Sequence, residues 1–154
     1  MGLHPEVDVL SQEISKKGNK HFLLSGLYAS ARAMILAALH SRLKQQGSVP
    51  TMLIVMDNAD DAQYMYADIK TLTQAQDVYY FPNSHRRRQG KDEAMTVQRT
   101  EVLSALLNAM HSLEDGSKTT YSLKARPIIV TYPEALADSV PNPKALEANK
   151  ISLH

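Results

Sequence analysis

The chain has no cysteine and no tryptophan, and among its 154 residues it has only two phenylalanines, six glycines and seven prolines. Charge of one sign is also nearly absent in excess, since 17 basic side chains face 16 acidic ones. Each scarcity excludes something. Without cysteine there is no disulfide framework, no thiolate metal site and no cysteine nucleophile, a composition that fits a reducing compartment. The modest glycine and proline content excludes a collagen-like or low-complexity chain. A net charge of +1 provides no overall field to draw nucleic acid or an acidic membrane, so any such binding must come from a local cluster. No apolar run approaches the roughly 20 residues of a bilayer-spanning helix, and the N-terminus lacks the basic head and apolar stretch of a signal peptide. A soluble, cytoplasmic protein is expected. Gly2 does not start a myristoylation signal, because Glu6 stands where Ser or Thr is required.

What is present is a 44% hydrophobic complement laid out in alternating periods. A polar lead with Val7, Leu10 and Ile14 at helical spacing ends in the basic turn at residues 16–20, so residues 1–19 read as an N-terminal helical lead. His21-Phe22-Leu23-Leu24-Ser25 reads as a strand ending at Gly26. Ala31, Met34, Ile35, Ala38, Leu39 and Leu43 then recur at helical spacing to about Gln46. Met52-Leu53-Ile54-Val55-Met56 has the pattern of a buried strand. Asn58 is placed to cap the following helix, with Asp60 and Asp61 in its first turn and Ala62, Met65, Tyr66, Ile69 and Leu72 as its apolar stripe.

A third strand is expected at residues 78–81. After it come the basic loop at residues 85–91 and a long helix from about Asp92 to Leu113, with Met95, Val102, Leu103, Leu106, Met110 and Leu113 turned inward. Residues 114–124 read as a polar surface insertion. Residues 127–130 form a fourth strand, and Pro133 opens a short helix, where its missing N–H costs nothing. Residues 151–154 resemble the start of another strand, and the chain reads as a fragment of a longer multidomain protein. Strands alternating with helices of this length predict an α/β domain over residues 20–154, three-layered, with a mostly parallel sheet and helices on both faces.

In such sheets, ligands sit at the carboxyl ends of the strands, which draws attention to residues 26–33. Against the phosphate-binding pattern GxxxxGK[ST], only Gly26 matches. Ala31 replaces the second glycine, Arg32 the lysine that reaches phosphate, and Ala33 the hydroxyl that holds magnesium. A Cβ at Ala31 crowds the backbone that would cradle phosphate, and Ala33 has no oxygen to give a metal. Residues 26–33 therefore read either as a degenerate phosphate loop or as an ordinary strand-to-helix turn. No nucleotide or magnesium binding is expected there.

Asp57, after four apolar residues, imitates a magnesium-binding strand end, but it directly follows the first helix, where nucleotide-binding folds seldom place that element, and the capping turn at Asn58 explains it better. Arg86, Arg87, Arg88 and Lys91 put four cations in one loop, which suits a phosphate or nucleic-acid contact, a solvated surface, or a contact with a neighbouring domain. The six histidines show no i, i+4 pairing and there is no Gly-x-Ser-x-Gly elbow, so no metal and no catalytic residue is expected.

The order of four stretches carries a resemblance. They are Leu23-Leu24-Ser25-Gly26 with its incomplete phosphate loop, Leu53-Ile54-Val55, Tyr80-Phe81-Pro82, and residues 99–106 continued by residues 128–136. Together they resemble the N-terminal domain of the bacterial transcription-repair coupling factors (the Mfd family) and, more distantly, the first domain of the excision-repair protein UvrB. The resemblance covers residues 20–154 and implies a degenerate P-loop, RecA-like domain without enzymatic activity of its own. This domain would serve as a scaffold in the UvrB-like module through which these DNA translocases recruit UvrA in nucleotide excision repair. It further implies that ATP and magnesium, and the contacts with RNA polymerase and DNA, belong to other domains of the parent, and that UvrA is bound mainly by the domain that follows. The sequence departs from the family at residues 83–88, where a tryptophan-containing acidic stretch is common, and at the insertion of residues 114–124. Two other readings stay open: a nucleotide-binding UvrB-like or helicase domain, and a nucleic-acid-binding module acting through Arg86 to Lys91.

Overall fold

The computed structural model describes residues 5–47, 50–74, 76–84, 92–114, 126–140 and 142, with backbone alone at 92, 93 and 111–114. It is a small α/β domain with a three-stranded, all-parallel sheet. Helix α1 (Pro5–Ser15) and helix α2 (Ala31–Gln45) precede strand β1 (Met52–Val55) and helix α3 (Ala59–Thr73). Strand β2 (Val78–Tyr80), helix α4 (Asp92–Glu114), strand β3 (Ile128–Thr131) and the single-turn helix α5 (Pro133–Leu136) complete it. The strand order is β1-β3-β2. The chain's last strand is therefore the central one, and all four of its residues are buried.

The register aligns Ile54, Val130 and Tyr80 in one row across the sheet, and Leu53, Ile129 and Tyr79 in the next. Successive side chains of a strand point to opposite faces, so these rows belong to different sides of the sheet. Tyr80 meets the Tyr66 ring of α3 at 5.9 Å, and its hydroxyl lies 3.5 Å from the Ala59 carbonyl. On the other side, the Arg99 guanidinium of α4 lies 4.3 Å from the Phe81 ring centre. Thus α3 and α4 flank the sheet on opposite faces, an arrangement compatible with a three-layer α/β fold. The main core gathers Ile54, Ala62, Met65, Ile69, Val78, Val102, Ile128 and Val130 between these layers.

Local chemistry explains most helix boundaries. Asn58 caps α3 as expected, its Oδ1 accepting from the Asp61 N–H at 2.9 Å. Gln74 closes the same helix in the left-handed region. Pro133 occupies the first turn of α5.

The expected strand at residues 21–25 does not form. These residues adopt no regular secondary structure and lie outside the sheet, and Leu23 is 93% exposed. Helix α2 also departs from the expected stripe: Met34 is exposed, whereas Ala33, Leu36 and Ala37 join the main core. The cause is that α2 is packed on two sides. It meets α3 and the sheet on one, and on the other it forms a satellite core in which Val7 of α1 meets Leu39 and Leu43. An ion pair of 2.8 Å between Asp8 and Arg42 spans the α1–α2 contact. Leu72 and Met110 are likewise exposed, and β1, expected to be buried, is an edge strand with Leu53 and Val55 open on the α4 side. The basic loop, the insertion beyond Glu114 and residues 151–154 lie outside the described residues.

His40 of α2 is buried. Burial, and secondarily Lys44, pushes its imidazole below the ordinary 6.5, with Asp77 opposing. The folded chain then binds fewer protons than the unfolded chain as the pH falls below 6.5, so stability is full above that value and declines below it. Thermal unfolding followed from pH 8 to pH 5 should show this decline in the native chain and a flatter profile in His40→Gln. Parallel profiles would contradict it.

Candidate functional site at the carboxyl ends of the strands

The turns leaving β1, β2 and β3 gather at one end of the sheet, as parallel strands require. After β2, residues 81–84 are held from three directions. Thr131 Oγ1 donates to the Phe81 carbonyl at 2.9 Å. Arg99 Nη1 donates to the Pro82 carbonyl at 2.6 Å. The Asn83 N–H donates to the Tyr132 hydroxyl at 3.1 Å. The Ser84 N–H donates to Asp138, whose carboxylate lies 3.6 Å from Arg99 Nη1. A second Arg99 bond, from Nη2 to the Ser139 carbonyl at 3.3 Å, ties this network to the segment after α5.

Arg99 is the central member of this cluster. It is only 7% exposed, and the desolvation of its guanidinium is offset by two carbonyls, a carboxylate and an aromatic face. A planar fork of donors can reach two carbonyls at once, which a lysine cannot. Tyr80 lies beneath, with Tyr132 stacked on it at 6.3 Å. Burial, and then the neighbouring Tyr132, raises the Tyr80 hydroxyl well above its ordinary value, so it stays protonated and serves as a donor. The sequence reading did not single out Arg99. The signal available was a cation at helical spacing within the apolar stripe of Val102 and Leu106, the mark of a charge aimed into a core.

The other expected site residues lie as follows. Gly26 adopts φ +77°, a conformation that favours glycine, and nothing lies within 4 Å of where its Cβ would be. Ala29 also has a positive φ. Ser30 precedes α2 without capping it by its side chain. Ala31 begins α2, its N–H donating to the Tyr28 carbonyl at 3.0 Å. Arg32 points outward, and Ala33 has 0% exposure within the main core. Residues 26–33 therefore do not gather a glycine, a cation and a hydroxyl around a common centre. Asp57 is exposed just beyond β1. Arg86, Arg87, Arg88 and Lys91 lie outside the described residues. Among the described residues, no group of three or more His, Asp or Glu is placed to hold a metal ion, and no helix is long and apolar enough to cross a membrane.

A separate open groove of about 660 Å³ lies away from these turns, between α3, β2 and α4, with Tyr66, Lys70, Tyr79, Thr100 and Glu101 among its walls. Lys70 donates to the Tyr66 hydroxyl at 3.0 Å, which holds its ammonium above the ordinary lysine value. Burial, and then Asp77 and Glu101, raises the Tyr79 hydroxyl. These groups pair within the wall and converge on no common point.

Comparison with protein-family models, characterised proteins and solved structures finds no match for this chain.

Proposed function

We propose that this chain is a non-catalytic scaffold domain with a degenerate P-loop, RecA-like architecture. Its place would be in the UvrB-like, UvrA-recruiting module of a bacterial transcription-repair coupling factor. The reading rests on the family resemblance in the order of the segments at residues 23–26, 53–55, 80–82, 99–106 and 128–136. One structural observation supports its non-catalytic half: at position 33, where the phosphate-loop pattern places a magnesium-holding hydroxyl, a methyl group is sealed in the core. A methyl group has no lone pair for a cation, and a buried position gives no access to one. On this reading ATP and magnesium act in motor domains elsewhere in the parent, UvrA is engaged mainly by the following domain, and this chain supplies a rigid mount.

Calorimetric titration of the chain with ATP and magnesium tests the proposal. No saturable heat is expected. Binding at micromolar concentration would instead support the nucleotide-binding alternative.

A further inference from the structure

The strand order makes β2 an edge of the sheet, and the groove between α3, β2 and α4 runs along that edge. The bonds to β3 fix which backbone groups of β2 are already used. The Ile128 N–H donates to the Asp77 carbonyl and the Phe81 N–H to the Val130 carbonyl, both at 2.9 Å. Odd-numbered residues of this segment therefore face β3, and the N–H and C=O groups of Val78 and Tyr80 point into the groove. Among the described residues, no strand pairs with them on that side. An edge that offers a donor and an acceptor at every second residue is a template for one more extended segment.

The two walls of the groove differ in sign. From α3 comes Lys70, whose ammonium is bonded to the Tyr66 hydroxyl and lies 5.3 Å from the centre of the Tyr66 ring. From α4 comes Glu101. These two are the charged residues of the lining, and both are exposed. One turn beyond Glu101, the small side chains of Ser104 and Ala105 leave the space between the walls open.

A strand laid along β2 sends successive side chains to opposite faces, in step with those of β2 itself. Tyr80 faces α3, where it meets Tyr66; Val78 shares that face, and Tyr79 takes the other. Helix α3 runs back from the end of β1 to the start of β2, so Lys70, one turn after Tyr66, lies toward the Val78 end. In an added strand, the residue beside Val78 then meets Lys70, the residue beside Tyr79 meets Glu101, and the residue beside Tyr80 meets the Tyr66 ring.

We propose that the β2 edge is a docking site for an extended segment of a partner protein that carries an acidic, a basic and an apolar residue in succession, in either chain direction. The acidic residue pairs with Lys70 and the basic one with Glu101, while the partner's backbone bonds to Val78 and Tyr80. Charge argues against a second copy of this chain as the occupant. Two antiparallel β2 edges are related by a two-fold axis normal to the sheet, which sets α3 beside α3 and brings Lys70 toward Lys70 and Glu101 toward Glu101.

A displayed library of short random peptides, panned against the whole chain and against Lys70→Glu and Glu101→Lys, tests the proposal. Both positions are exposed, so neither reversal disturbs the core. Peptides enriched on the native chain should carry the acidic, basic and apolar triplet. Lys70→Glu should replace the acidic residue of the triplet by a basic one, and Glu101→Lys should replace the basic residue by an acidic one. The peptide most enriched on the native chain, once synthesised, should bind Lys70→Glu about tenfold more weakly. It should also slow amide exchange at Val78 and Tyr80 in the native chain by about tenfold or more. No enrichment, enriched charges that ignore both reversals, or unchanged exchange at Val78 and Tyr80 would overturn the proposal. Slow exchange of these two amides without peptide would overturn it as well: at every protein concentration it would assign the edge to the chain's own residues, and only at high concentration to a second copy.

Discussion

Replacing Arg99 by alanine should lower the stability of the folded chain by about 3 kcal/mol or more, read as a shift in the urea midpoint at unchanged slope. Three losses combine. The carbonyls of Pro82 and Ser139 lose their charged donor, Phe81 loses the cation on its face, and Asp138 loses its counter-charge. Hydrogen bonds from a charged donor contribute about 1.5–3 kcal/mol, and a desolvated cation over an aromatic ring adds up to about 2. Arg99→Lys retains charge but not the fork, and it should recover only part of the loss. A loss of less than about 0.5 kcal/mol for alanine, the range of ordinary surface changes, would show that the cluster does not hold residues 81–84. Amide exchange at Asn83 and Ser84 gives the local readout, because both N–H groups are bonded within the cluster. In Arg99→Ala their exchange should accelerate more than that of β1 amides.

Ile69→Ala is the second large effect. Ile69 is 1% exposed in the main core, and truncating a buried isoleucine to alanine costs about 2–5 kcal/mol through lost burial and the cavity left behind. Leu72, three residues later and 47% exposed, should change stability by less than about 0.5 kcal/mol when made alanine. A domain of this size has roughly 5–15 kcal/mol in total, so Ile69→Ala should move the urea midpoint visibly while Leu72→Ala leaves it in place. Similar midpoints for the two variants would mean that α3 does not present the face described here.

The contrast between these neighbours shows what periodicity can convey. The 3.6-residue stripe of α3 put Ile69 and Leu72 on one side, but a helix lying on a three-stranded sheet buries a strip narrower than the stripe, and its margin stays wet. Alternation and flanking turns were enough to locate β1, β2 and β3, because their apolar runs are short and bounded by turn residues. The same signal marked residues 21–25, which have the composition of a strand and no partner in this arrangement; pairing depends on a neighbour that periodicity does not name. For α2, one apolar period concealed two contact faces. At the carboxyl ends of the strands, the capping role of Asn58 was legible because capping is local. Arg99 was not, because its partners at Pro82 and Ser139 lie 17 and 40 residues away, and only the fold brings them together.

The strand order has a consequence for biosynthesis. Because β1 and β2 each pair with β3 and not with each other, neither can form a ladder until residues 128–131 have left the ribosome. For the whole of that interval their apolar residues remain available to chaperones. The sheet then assembles in one late step with large loop-closure costs, and such non-local topologies fold slowly and expose unpaired strands meanwhile. The helical pair α1–α2, whose contacts are local, can form first and wait for the rest.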